Sequence, residues 1–298
     1  MTIGDSVTFL GLSRDGGCRA WRDTVGRWRY DLHWPYVELP GPPCSDVSQG
    51  RGELASLWLR DSRTEWSLWI DDDIEIPWHT LCAFIERAMS TTYDLICCQY
   101  VGKQPGSGLL TARFAENPVI MGHGGGYAEV LGCGFGCVLA RHTLFDRISE
   151  HLPLVRWDRS GAIGRPYFLG MVIVDANDPE GPRVQIGEDY AFCYRARAVG
   201  GKLACDTTVR VWHHGDYGYG WEDADATLER YASIRVENRT MLSGGFRAPR
   251  ITDADDVAVP LQENPLTEMR RIWDGCRTSS QPTPEIRALL GLPPEGAK

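Results

Sequence analysis

The sequence predicts an α/β fold: a mostly parallel central sheet flanked by helices, with a C-terminal helical extension. Three observations predict it. Short apolar runs alternate with helical patterns through the first two hundred residues. Proline pairs and glycine-rich turns punctuate the runs. Composition is that of an ordinary soluble globular chain, with 298 residues, 43% hydrophobic and 24% charged, long enough for a sizeable core.

Taken in order, residues 7–12 read as a strand, followed by the loop Ser13-Arg14-Asp15-Gly16-Gly17 and a helix to about Arg27. Residues 36–39 form a second strand bounded by prolines, and 49–60 a helix with Leu54, Leu57 and Trp58 on one side. The apolar run 66–70 is a third strand, and 95–100 a fourth. Between them lies a helix over 77–89 with Pro77 at its first position. Residues 109–114, 127–131 and 135–140 read as short strands separated by turns such as 122–126. Then come a strand at 168–174, a helix at 189–199, a final strand at 202–211 and a helix at 227–242, which lacks Gly and Pro. Beyond residue 250 the chain is rich in proline and charge, with short helices near Met269 and Ile286. The main domain spans 1–222, and 223–298 is a helix and extended tail packing on it or trailing from it.

Charge and cysteine usage narrow the function classes. A net charge of −9 gives the chain no overall basic field for nucleic acid. No window approaches the length of a transmembrane helix, and the N-terminus lacks a basic-then-apolar leader. Of ten cysteines, seven fall in apolar segments and none forms a Cys-x-x-Cys pair. Buried, reduced thiols and a cytoplasmic location are expected.

The most informative stretch is Trp69-Ile70-Asp71-Asp72-Asp73-Ile74-Glu75. A core strand ending in three carboxylates calls for a cation, because an unpaired buried carboxylate is costly by several kcal/mol. Mg²⁺ and Mn²⁺ take oxygen ligands and bridge carboxylates to phosphates. Helix capping accounts for one aspartate, not three. Other polar clusters also fall at strand ends, where open parallel sheets bind ligands: Ser13-Arg14-Asp15 and Glu38 early, Trp212-His213-His214-Gly215 late. Gly187-Glu188-Asp189-Tyr190 opens a helix, where acidic residues also serve as caps. Asp216-Tyr217-Gly218-Tyr219-Gly220-Trp221 reads as a loop that presents aromatics over a site.

These clusters, in this order, resemble the GT-A glycosyltransferases, the nucleotide-diphospho-sugar transferase superfamily, and within it the inverting family 2. Residues 69–74 are similar to its Asp-x-Asp motif, and Gly132-Cys133-Gly134-Phe135-Gly136 to its glycine-rich acceptor-side segment. Gly187-Glu188-Asp189 resembles its Glu-Asp motif, and His213-His214-Gly215 its late His-x-Gly. The resemblance spans about residues 6–216 and implies a catalytic domain over 1–222. It implies Mn²⁺ or Mg²⁺ held by Asp73, Asp71 and His213, with His214 in reserve. It implies Asp189 as general base, assisted by Glu188, and Ser13, Arg14, Glu38, Arg51, Asp71 and Asp72 on the nucleotide side. The donor implied is a nucleotide sugar, a UDP-sugar first. Small molecules, peptides or proteins, glycans and modified nucleic-acid bases all fit as acceptor. A nucleotidyltransferase of similar fold and a non-catalytic nucleotide-sugar-binding relative are the alternatives.

Overall fold

A computed structural model describes residues 2–13, 17–39, 46–62, 64–103, 110–116, 118–157, 160–174, 180–215, 218–220 and 233–236. Its core is an eight-stranded sheet: β1 Val7–Gly11, β2 Tyr36–Glu38, β3 Trp66–Ile70, β4 Leu95–Cys98, β5 Arg113–Phe114, β6 Tyr127–Gly132, β7 Cys137–Arg141 and β8 Leu203–Asp206. The strand order is β2-β1-β3-β7-β4-β8-β6-β5. β1 pairs in parallel with β2 and β3, and β4 with β8. β7 runs antiparallel between β3 and β4, and β6 antiparallel between β8 and β5. The strands other than β6 and β7 therefore share one direction, and the fold is α/β with a mixed, mainly parallel sheet.

The longer helices among the described residues cover the sheet: α1 Arg19–Gly26, α2 Val47–Asp61, α3 Trp78–Met89, α4 His142–Ser149 and α5 Glu188–Ala198. The strands of β1 and β3 are buried throughout, because both faces carry helices. Leu10 and Trp69 point into one core with Leu54, Trp58, Phe145 and Phe192 from α2, α4 and α5. Phe9, Leu68 and Ile70 point into the other, with Trp21, Leu81 and Phe84 from α1 and α3. Alternation of side chains along each strand thus feeds two layers.

Local differences from expectation have physical causes. Pro77 is the residue before α3 rather than its first turn, with extended backbone at ψ 138°. The run 202–211 stops as a strand at Asp206, whose carboxylate accepts from the Thr208 amide and hydroxyl and from Arg87. That turn frees Trp212–His214 to build a separate ribbon with Ile74–Glu75 on one side and Gly218–Tyr219 on the other. The helix expected over 227–242 is corrected at the four residues described there. Ser233–Val236 is a strand, antiparallel to Val119–Gly122. Backbone pairing along that strand outweighs the helical propensity of the stretch. The remainder of 227–242, the short helices near Met269 and Ile286, and Arg14 lie outside the described residues.

No helix among the described residues is long and apolar enough to cross a membrane. Described cysteines are unpaired, with Cys97, Cys98, Cys133, Cys137, Cys193 and Cys205 buried.

Candidate active site

The acidic triplet sits where β3 leaves the sheet. The Ile74 amide donates to the Asp71 carbonyl at 3.0 Å, closing a tight turn, and the Asp71 amide donates to Gly136 at 2.9 Å. The Asp72 carbonyl accepts from the Cys18 amide at 2.6 Å. A turn pinned on both sides sends the three side chains to three different destinations.

Asp71 faces α2. Arg51, 3% exposed, donates through Nη2 to both Asp71 oxygens at 2.8 and 2.9 Å. Its Nη1 donates to Asp189 Oδ1 and lies 3.6 Å from Glu188. The guanidinium also stacks over Phe135 and Phe168. Burial alone would loosen its proton, but Asp71 and Asp189 hold it more tightly than usual. Arg51, expected on the nucleotide side, is the buried hub joining Asp71 to the Glu188-Asp189 pair.

Asp189 opens α5, and its Oδ2 accepts from the Phe135 amide at 3.1 Å. Burial pushes its carboxyl up; Arg51 opposes this, while Asp71 and Glu188 push further, leaving it at about 6. A side chain 19% exposed remains within reach of a ligand. Asp72 turns the opposite way and accepts from the Ser13 hydroxyl at 2.9 Å, at the end of β1. Glu38 lies on the exposed end of β2 and is held by Arg29 at 2.9 Å through both oxygens.

Asp73 meets the late ribbon. His213 pairs with Ile74 across the antiparallel ladder, and the His214 amide donates to the Asp73 carbonyl at 2.7 Å. This places His213 Nε2 at 3.5 Å from Asp73 Oδ2. His213 Nδ1 lies 2.8 Å from the Val101 carbonyl, a contact that requires the proton on Nδ1 and turns Nε2 toward the carboxylate. Lys103 Nζ sits 2.5 Å from that same Oδ2. Burial raises the Asp73 carboxyl, but the hydrogen bonds of His213 and Lys103 outweigh it and bring it to about 2. His214 turns away to Glu75, with Nε2 at 2.6 Å from the carboxylate.

A carboxylate oxygen beside an imidazole nitrogen suits a divalent cation once Nε2 has given up its proton to make room for it. Among the described residues no group of three or more His, Cys, Asp or Glu converges as a complete metal cage. Two protein donors with the remaining positions left to phosphate oxygens and water match Mg²⁺-type sites, which bind through one or two carboxylates plus substrate phosphates. Asp71, the other expected ligand, accepts one hydrogen bond from Arg51 on each of its oxygens.

Tyr100 packs between these groups and was legible in the sequence only as an aromatic. Its ring meets His213 edge-on at 5.1 Å, and its hydroxyl accepts from the Gly136 amide at 3.0 Å. A Cβ at Gly134 would stand 2.2 Å from that hydroxyl, and one at Gly136 2.7 Å from the ring. The glycine-rich segment is therefore glycine so that Tyr100 fits beneath it. Lys103 carried no sequence signal, being a lone lysine in a loop.

No protein-family model matches this chain, and no curated protein matches it. Among solved structures it is similar to A197 from STIV, with 15% identity over 71% of this chain and 86% of that one at a TM-score of 0.43. It is similar to GalNAc-T7 solved with UDP, GalNAc and Mn²⁺, at 10% identity over 69% of this chain and 37% of that one, TM-score 0.35. It is also similar to S. aureus TarS 1–349, at 12% identity over 68% of this chain and 57% of that one, TM-score 0.35. Likenesses this distant carry no functional argument.

Proposed function

We propose that the chain is a metal-dependent glycosyltransferase of the GT-A kind. It moves a sugar from a nucleotide diphosphate, a UDP-sugar as first choice, to an acceptor hydroxyl with inversion. One observation carries the reading: two carboxylates at the same end of the sheet are held in opposite electrostatic states. Asp73, at about 2, stays ionised at any working pH. Asp189, at about 6, titrates near neutrality. Environments that drive two carboxyls apart mark separate charge-binding and proton-transfer roles.

Asp73 and His213 Nε2 would hold the divalent ion, which when bound acts as a Lewis acid on the diphosphate and offsets charge growing on the leaving phosphate. Asp189 would take the proton from the acceptor hydroxyl, a task suited to a base with a pKa near the operating pH. Arg51 fixes its carboxylate in place, and the Phe135 amide fixes the other oxygen. Ser13 and Asp72, at the end of β1, stand on the nucleotide side.

A thermal-shift panel of nucleotide sugars with and without Mn²⁺ tests this. A ligand at a hundredfold excess over its Kd stabilises by about 2.7 kcal/mol, so one or more donors should raise the melting temperature only with metal present. No shift with any nucleoside diphosphate would sink the reading. Shifts confined to nucleoside triphosphates would favour a nucleotidyltransferase.

A further inference from the structure

We propose that Lys103 is a built-in counter-cation that occupies the metal's seat until a diphosphate draws it away. The inference deepens the glycosyltransferase reading and depends on it. Lys103 Nζ lies 2.5 Å from Asp73 Oδ2, the same oxygen that lies 3.5 Å from His213 Nε2. A divalent ion bound between Asp73 and His213 would stand against the ammonium, and two cations on one carboxylate oxygen repel. Metal entry therefore requires the lysine to leave.

The surroundings are arranged for both positions. The Val101 carbonyl that orients His213 belongs to the same short segment as Lys103. The lysine stem runs over Gly215, where an added Cβ would meet Lys103 Cδ at 3.3 Å and Tyr219 at 3.2 Å. The lysine side chain is 38% exposed, so its flexible four-carbon stem leaves without opening the core. A sugar diphosphate offers the ammonium a new anion beside the old one. Nucleotide and metal then bind with positive coupling that passes through Lys103, and each raises the affinity for the other by the same factor.

The test is titration of Mn²⁺, followed by the electron paramagnetic resonance signal of free Mn²⁺, first alone and then with saturating UDP. Wild type, Lys103→Met, Lys103→Arg and Asp73→Asn are compared, with thermal melts confirming that each folds. Without nucleotide, Lys103→Met should bind Mn²⁺ at least about tenfold more tightly than wild type, while Lys103→Arg stays close to wild type. The gain in Mn²⁺ affinity that UDP confers should shrink in Lys103→Met, and Asp73→Asn should bind under neither condition. Wild type that binds Mn²⁺ with UDP, beside a Lys103→Met variant with unchanged or weaker affinity for Mn²⁺ alone, overturns the role of Lys103 and leaves the glycosyltransferase reading standing. Failure of both proteins to bind Mn²⁺ with or without UDP overturns the two together.

Discussion

Arg51→Met keeps most of the aliphatic stem and removes the guanidinium that faces Asp71, Asp189 and Glu188. Arg51 is 3% exposed, Asp189 19% and Asp71 33%. Asp189 is thus the charge that loses most, while water screens part of the change at Asp71. Removing one partner of a buried ion pair costs about 3–5 kcal/mol because the other charge stays behind unpaired. For a domain of this size that corresponds to a drop in melting temperature of roughly 6–15 °C. The sign of the pH dependence follows from the carboxyl. Asp189 already holds its proton up to about 6 in the folded protein, above the ordinary 3.8, and losing Arg51 raises it further. The penalty is then larger at pH 8 than at pH 5, because it is relieved as pH falls through the raised value. Thermal melts and urea titrations at pH 8 and pH 5 read this directly, and Arg51→Met/Asp189→Asn should recover more than half of the loss. A variant within about 1 kcal/mol of wild type at pH 8 would refute the reasoning, as would a loss that neither low pH nor the second substitution reduces.

Other consequences are equally open to measurement. Asp189→Asn should keep metal-dependent donor binding and lose transfer by at least about 10²-fold, while wild-type turnover should fall as pH drops below about 6, the value of the Asp189 carboxyl; an acid limb that survives in the variant removes Asp189 from the role. Gly134→Ala puts a methyl 2.2 Å from the Tyr100 hydroxyl and should destabilise by about 1–3 kcal/mol, a loss read from urea midpoints and smaller in a Tyr100→Phe background. Arg195 is fully buried, its Nε and Nη2 meet no partner among the described residues, and burial pulls its pKa down to about 10. Arg195→Met should therefore be neutral or raise stability by about 1–2 kcal/mol; a fall of several degrees in the melting temperature would show that its one bond, to the Tyr167 carbonyl at 3.2 Å, matters more than its charge.

The sheet was legible because its strands are apolar runs with clear ends. β3 and α3 appear where the periodicity puts them. The place of β7 between β3 and β4 was not legible, since antiparallel insertion depends on pairing across distant residues. The strand Ser233–Val236 is not legible for the same reason: an edge at Val119–Gly122 decides its state. In the site, Asp73 and His213 were each visible, but their meeting depends on a ribbon joining residues about 140 apart. Arg51 carries its own signal in the sequence. At i, i+3 and i+7 it shares a helical face with Leu54 and Trp58, both fully buried, and a charge on an apolar stripe needs a buried partner. The triplet showed that a cation was needed; only the turn at Asp71–Ile74 shows that one of its three carboxylates is already answered by Arg51.

In the function proposed above, Asp73 and His213 seat a divalent ion against a nucleoside diphosphate. Calorimetric titration of UDP into wild type, Asp73→Asn and His213→Ala, with Mn²⁺ and with chelator, tests it most directly. Wild type should bind UDP with an affinity that chelator weakens at least about tenfold, and both variants should bind it weakly and without regard to metal. Equal UDP affinity in Mn²⁺ and in chelator for wild type, or metal-dependent binding that survives in Asp73→Asn, would contradict it.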